Sequence, residues 1–299
     1  MNGIIIIDKP KDYTSFDVIA VLRKKLGQRK IGHMGTLDPM ATGVLPILLG
    51  ETAKFQIYNQ ENDKRYIAKM HFGTTTDSLD ITGKIITDIK STITKKQLEK
   101  ALNEFIGNID QLPPMFSAIK KDGKKLYDLA RKGIEIKREP RKITIKNLIL
   151  LDFEKETQNA TIDVTCSKGT YIRSLCSDIG EKLGCGAVMT DLNRIKSNGF
   201  DISQSISLKR VKELSLSEIT EKYILPTDSL FKNLNKVNIS TAQEARFKNG
   251  GNLSLQRLKL PLDLQNNETV TVYNCETFVG LGQIDQESDE LKILKCQIK

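Results

Sequence analysis

Gly32-His33-Met34-Gly35-Thr36-Leu37-Asp38-Pro39-Met40-Ala41-Thr42-Gly43, continuing into Val44-Leu45-Pro46, is the stretch around which the rest of the chain is organised. Three glycines and a proline within twelve residues argue against a regular helix or a central strand, since glycine is entropically costly there and Pro39 has no N–H to give. A shaped loop is expected. Proline pushes the residue before it towards extended backbone, so Asp38 has a fixed aim. Two readings of that aspartate stand side by side: an N-cap for a helix opening at Pro39, or a carboxylate presented for catalysis. The same loop holds His33, one of two histidines in the chain.

Upstream, residues 3–8 read as a buried first strand. Thr14 or Ser15 then caps a helix with Val18, Ile19, Leu22 and Leu26 on one face, stopped by Gly27. Downstream, the apolar run 45–49 precedes a helical segment at 51–58. Residues 64–73 alternate as a strand with Tyr66, Ala68, Met70 and Phe72 on one face, a pattern that equally makes Tyr66 a core aromatic. The polar connection 74–83 carries Asp77 and Asp80, too few ligands for a calcium loop. Thr94-Lys95-Lys96-Gln97 is a capping box for a helix that runs to residue 106 and closes at Gly107.

Residues 143–153 and 160–166 read as paired strands, and a helix spans 171–183. Arg173 falls in its first turn, where the macrodipole disfavours a cation, so it is either a surface arginine or one with an ionic or phosphate partner. A basic strand-like piece follows at 191–197 and a helical region at 208–223. Leu225-Pro226-Thr227-Asp228 marks a boundary. Beyond it, a short helix at 241–249 and strands at 268–275, 278–284 and 291–296 make a small β-rich domain over residues 235–299.

The chain has 299 residues, 28% charged and 39% apolar, with a formal charge of +9. From Phe231 onward nine basic residues face eight acidic ones, so the excess lies in the first 230 residues. Residues 117–146 alone hold eleven Lys or Arg against four Asp or Glu, a net +7. This cluster, which includes Lys120, Lys121 and Lys124 and a short helix around 126–132, follows a Pro113-Pro114 turn and reads as an excursion facing a polyanion such as a phosphate backbone. Five cysteines without C-x-x-C spacing and two distant histidines make no zinc set. No apolar run approaches the roughly 18 residues of a membrane span, and Ile4 to Ile7 lacks the flanks of a secretory signal. A reduced, cytosolic chain is expected. There is no Walker A or G-x-G-x-x-G motif, and the carboxylates are too scattered for a metal-dependent nuclease. What remains is nucleic-acid chemistry run by side chains alone.

The stretch from Gly32 to Pro46 resembles the signature of the bacterial TruB-type tRNA pseudouridine synthases. The resemblance continues through Lys64-Arg65-Tyr66, Thr76-Asp77-Ser78-Leu79-Asp80-Ile81-Thr82-Gly83, Pro113-Pro114-Met115-Phe116-Ser117-Ala118 and Ser167-Lys168-Gly169-Thr170-Tyr171-Ile172-Arg173-Ser174-Leu175, all in order within residues 1–230. It implies an α+β catalytic domain, with a mixed, largely antiparallel sheet flanked by helices and an RNA-clamping thumb at about 113–142. Through Phe247-Lys248-Asn249-Gly250 and Phe278-Val279-Gly280-Leu281-Gly282-Gln283-Ile284, residues 235–299 resemble the family's PUA-like RNA-binding module.

The implied reaction is isomerisation of the T-loop uridine 55 of tRNA to pseudouridine by base flipping, without cofactor or metal. By position, Asp38 is the implied nucleophile, Arg173 its partner and Tyr66 the residue that stacks on the base and serves in proton transfer at C5. Tyr171, Ile172 and Leu192 would line the pocket, His33 would fill the space the base leaves, and Asp80 would join the network around the flipped nucleotides. Lys30, Lys54, Lys120, Lys121 and Lys124 are expected on the RNA, in a monomer that needs no protein partner or membrane and works in the cytoplasm. The alternatives are a tRNA-binding folding chaperone with secondary chemistry, and a guide-RNA-dependent rRNA pseudouridine synthase.

Overall fold

The computed structural model describes the whole chain except Glu61, Ala118, Asp122, Leu262, Asp263, Ile298 and Lys299, together with the side chains of Lys120, Lys121 and Lys125. The first strand, β1 (Gly3–Lys9), explains its own apolar run. Ile5 and Ile7 enter one core, beneath helix α1 (Ser15–Leu26), while Ile4 and Ile6 enter a second core on the other face. A strand covered on both faces needs no polar alternation. Each buried isoleucine contributes about 1.5–3 kcal/mol. Thr14 forms the capping box of α1 with Asp17, and Gly27 ends the helix in the left-handed region.

The Gly-rich stretch is not wholly a loop. Ile31–His33 forms β2 and Thr42–Leu49 forms β3, paired antiparallel with His33 opposite Ile47, so the motif is a hairpin whose tip carries Asp38. β3 also runs antiparallel to β1, with Pro46 opposite Ile6. The Pro46 carbonyl accepts from the Met34 amide at 2.9 Å, on the side where β2 has ended. In an extended strand a residue's N and C=O point the same way, so the missing N–H faces that open side rather than a ladder partner.

A 3₁₀ helix, Gly50–Tyr58, stands where a helix is expected. β4 (Lys64–Phe72) buries Tyr66, Ala68, Met70 and Phe72. The polar connection folds into the small hairpin β5 (Thr74–Thr76) and β6 (Ile85–Asp88). α2 (Lys95–Glu104) has the expected Thr94–Gln97 capping box. β7 (Gly107–Gln111), which the sequence reading misses, leads into the basic excursion with its two-residue strands β8 (Lys120–Lys121) and β9 (Lys124–Lys125) and helix α3 (Leu126–Ala130).

β10 (Arg141–Glu154) and β11 (Asn159–Cys166) pair antiparallel, α4 (Ile172–Lys182) follows, and β12 (Ala187–Ser197) begins four residues earlier than expected. β13 (Phe200–Asp201) and β14 (Ile206–Ser207) close this part. The expected helical region is two helices, α5 (Leu208–Glu213) and α6 (Leu216–Tyr223), because Ser215 caps a second start with Glu218; β15 (Ile224–Leu225) returns to β1. The main sheet runs β14-β1-β3-β12-β4-β11-β10-β7 and is mostly antiparallel, with parallel pairs at β1/β14 and β3/β12.

The last part holds β16 (Lys236–Asn238), α7 (Thr241–Lys248), β17 (Leu253–Ser254), β18 (Thr269–Asn274), β19 (Thr277–Asp285) and β20 (Glu290–Cys296). Its five strands have a core of their own, with Val237, Phe247, Val270, Val272 and Val279. Phe278 and Leu281 turn instead into the second core of the main sheet, where Phe278 lies 5.8 Å from Phe55 and 6.3 Å from Phe231 between ring centroids. The C-terminal sheet therefore docks on the face of β1 and β3 opposite α1.

Candidate active site

The hairpin tip is held from three directions. Lys9 continues the inward register of Ile5 and Ile7, and its buried amine donates to the carbonyls of Pro10, Tyr13 and Pro39 at 2.9, 2.6 and 3.2 Å. Burial lowers its pKa to about 8, against the opposing pull of Asp38. Ser15 exchanges hydrogen bonds with the backbone of Leu37. Arg194, fully buried on β12, donates from Nε to the Val44 carbonyl at 2.7 Å and from its two terminal nitrogens to Thr36 and Gly35 at 3.3 and 3.1 Å. Leu37, Met40 and Ala41 sink into the first core. No helix opens at Pro39: the Ala41 amide closes a turn on the Asp38 carbonyl at 3.1 Å, and the capping reading is set aside.

Asp38 is left with its carboxylate 37% exposed, facing the first turn of α4. Arg173 Nε lies 2.9 Å from Asp38 Oδ2. The rest of that guanidinium donates to the Ser78 and Phe116 carbonyls, both at 2.9 Å, and stands 3.6 Å from Asp80 Oδ2. Tyr171 provides the backbone cap before this helix without a side-chain bond; its N–H and C=O are held instead by the Gln111 amide. Arg173 thus has the acidic partners its awkward position in the helix asked for. Asp80 is buried, accepting from Ser78 Oγ, Thr82 N and Thr82 Oγ1 on one oxygen.

Tyr66 on β4 and Leu192 on β12 are buried beside this centre, as is Ile172. Burial pushes the Tyr66 hydroxyl up to about 12, with the charge of the nearby Arg194 guanidinium acting the other way. His33 is half-buried at the start of the tip. Burial and then the charge of Arg194 lower its pKa, its Nδ1 has no partner, and its ring meets exposed Phe16 edge-on at 5.6 Å. Tyr171 is half-buried at the mouth, its hydroxyl pKa raised chiefly by burial.

The lysines are less concentrated. Lys30 and Lys54 sit at the base of the hairpin, away from its tip, converging on Glu51 at 2.7 and 2.6 Å and holding that carboxyl down to about 2. Lys124 is exposed on the excursion, and the Lys120 and Lys121 side chains lie outside the described residues. The stem of the excursion is tied to α4 through Phe116 on Arg173 and Leu112 on Ser174 Oγ, at 2.9 and 3.1 Å. Among the described residues no three His, Cys, Asp or Glu converge as a metal set.

Sequence reasoning missed Lys9, Ser15 and Arg194, and also Lys64, whose amine lies beside Gly35 on the same tip. Lys9, Lys64 and Arg194 carry one common signal, a charge on an inward register: after Ile5 and Ile7, before Tyr66, and after Leu192.

A model of the TruB family pseudouridylate synthase N-terminal domain matches residues 23–172, and one of the tRNA pseudouridylate synthase B C-terminal domain matches 173–232. The chain is 42% identical over 300 residues to a protein of Clostridium tetani named tRNA pseudouridine synthase B, covering all of both chains. It is 41% identical to a protein of that name from Alkaliphilus oremlandii, over 99% of this chain and 97% of the relative. Among solved structures, a Cbf5-Nop10-Gar1 complex contains a chain similar at a TM-score of 0.73 and 26% identity, covering 99% of this chain and 84% of that one. A chain of an H/ACA RNP bound to a substrate RNA has the same fold, at a TM-score of 0.74 and 24% identity over 99% of this chain and 85% of that one.

Proposed function

The chain belongs to the TruB family of pseudouridylate synthases, and on that premise we propose that it isomerises uridine to pseudouridine in tRNA, at position 55 of the T-loop, by base flipping. The observation that carries the reading is the Asp38–Arg173 contact at 2.9 Å, held in a buried frame beside Tyr66.

In this reading Asp38 is the nucleophilic carboxylate, and Arg173 fixes its direction towards the flipped nucleotide. The N1–C1′ bond breaks, the uracil turns, C5–C1′ forms, C5 releases a proton and N1 takes one, so the product is an isomer and no cofactor or metal is consumed. Tyr66 enters as the neutral phenol, a stacking platform whose hydroxyl lies beside the Arg194 guanidinium. Ile172, Leu192 and Tyr171 wall the pocket, Asp80 secures Arg173 from the other side, and neutral His33 with its unsatisfied nitrogen fills the gap the base leaves. The excursion at about 113–142 acts as the RNA-clamping thumb, with Lys120, Lys121 and Lys124 on the T-arm and Lys30 and Lys54 further along it. Residues 1–230 form the catalytic domain and 235–299 a PUA-like RNA-binding domain, in a cytoplasmic monomer that acts without a protein partner.

The test is incubation of the purified chain with an unmodified tRNA transcript, or with a T-arm stem-loop alone, followed by pseudouridine mapping. One new pseudouridine at the T-loop uridine is expected. Activity only with a guide RNA and partner proteins would favour the rRNA-type reading, and binding without any isomerisation the chaperone.

A further inference from the structure

Lys64 lies two residues before Tyr66 on β4, so both side chains leave the same face of the strand. Its amine reaches the flank of the hairpin tip: a methyl group placed on Gly35 would sit 3.1 Å from Lys64 Nζ and 3.5 Å from Arg194 Nη1. Two cations therefore border one backbone position beside the Asp38 turn. Arg194 has its donors on carbonyls. Lys64, among the described residues, donates no hydrogen bond and meets no carboxylate. Its neighbours are committed: Arg65 to Asp163 at 2.6 Å, Lys146 to Asp63 at 2.5 Å, and Arg173 to Asp38.

Burial and the charge of Arg194 together lower the Lys64 pKa to about 8, with the Cys166 thiol on β11 acting weakly the other way. The amine is thus still charged at neutral pH, in a place where charge without a partner is costly. An arriving anion would reverse that cost. Of the parts of a flipped uridine, the uracil and the ribose are neutral, and only the flanking phosphodiesters bring negative charge into the cleft.

We propose that Lys64 is a phosphodiester-binding residue of the active-site cleft, taking one of the two phosphates that flank the target uridine. This rests on the reading of the chain as a tRNA uridine isomerase. A single charge-assisted contact of this kind is worth roughly ten- to hundredfold in affinity, and it releases counterions, so the slope of log K against log salt changes by about 0.7–0.9 per contact.

The test measures equilibrium binding of the full chain to a T-arm stem-loop carrying ordinary linkages, or one neutral methylphosphonate 5′ or 3′ to the target uridine. Lys64→Gln is expected to bind the ordinary RNA about ten- to hundredfold more weakly with a shallower salt slope, and Lys64→Arg to restore most of the loss. At one of the two positions the methylphosphonate is expected to weaken the wild-type chain and to leave Lys64→Gln almost unchanged. Equal affinity of wild type and Lys64→Gln would overturn the proposal. So would a methylphosphonate penalty of the same size in both proteins, or a fall in kcat with unchanged affinity. Should Lys64→Gln not fold, the wild-type series alone decides it, since neutral linkages that cost nothing at either position overturn the assignment. Pseudouridine formation is read separately: an affinity pattern as expected without turnover would leave the phosphate site standing and remove the isomerase.

Discussion

Replacing Arg173 separates what holds the site together from what performs its chemistry. The guanidinium is 5% exposed and serves Asp38, Asp80 and the carbonyls of Ser78 and Phe116 at once. Arg173→Met leaves the buried Ser78 carbonyl, the half-buried Phe116 carbonyl and Asp80, itself only 7% exposed, without this donor. Asp38 can turn to water, so its share is discounted for screening. Breaking a buried charged set from one side costs about 3–5 kcal/mol, and at about 2–4 °C per kcal/mol for a chain of this size the Tm falls by roughly 10 °C. Arg173→Lys keeps the charge, but one ammonium cannot span Asp38 and two carbonyls. It should recover part of the stability while misorienting Asp38, with kcat down about a hundredfold, the loss typical of a displaced reacting group. Thermal melts with single-turnover pseudouridine formation read both quantities. A folded Arg173→Lys with kcat within twofold of wild type would mean that Arg173 does not aim Asp38.

Gly43→Ala should lose more than about 3 kcal/mol and most activity, because the backbone is left-handed there (φ 102°) and the new methyl would meet the Arg194 carbonyl at 2.3 Å. Gly169→Ala, left-handed but facing open space, should cost only about 1–2 kcal/mol, the two glycine variants being compared with wild type by urea titration. Glu51→Gln should tighten tRNA binding severalfold at low salt and steepen its salt dependence, since it removes the acid between Lys30 and Lys54; unchanged binding would take those lysines off the RNA path. Under native conditions a thiol reagent should label exposed Cys275 at once and spare buried Cys166 and Cys176. Burial pushes those two thiols up to about 11 and about 12. Above an unfolded pKa near 9 the unfolded chain sheds protons the native state retains, so their contribution is complete below pH 9 and lost as pH climbs to 11–12. The gap in unfolding free energy between wild type and Cys176→Ala should accordingly narrow from pH 7 to pH 10.

Much of this architecture is legible in the chain because local chemistry and tertiary context agree. The Thr14 and Thr94 capping boxes, the alternation of Tyr66, Ala68, Met70 and Phe72, and the misplaced charge of Arg173 each say locally what the fold requires. The hairpin at Gly32–Gly43 is less visible, since glycine only weakens a strand and proline breaks one only where the ladder needs its N–H. Pro46 escapes that rule by facing the side where β2 has already ended. The turn at Pro39 has the same composition as a helix start, and only the packing of Leu37, Met40 and Ala41 decides between them. Arg194 shows in sequence only as a charge on the inward register after Leu192; the pairing with Thr42 and Gly43 is what places its guanidinium under the hairpin tip.

In the proposed function one carboxylate, aimed by a hairpin tip and by Arg173, carries the isomerisation. Asp38→Asn tests it with almost no change of shape, on an unmodified tRNA transcript, with pseudouridine mapping and binding measured side by side. The expected result is no pseudouridine at the T-loop uridine, with tRNA affinity and its salt dependence close to wild type. Substantial turnover by Asp38→Asn would contradict the account.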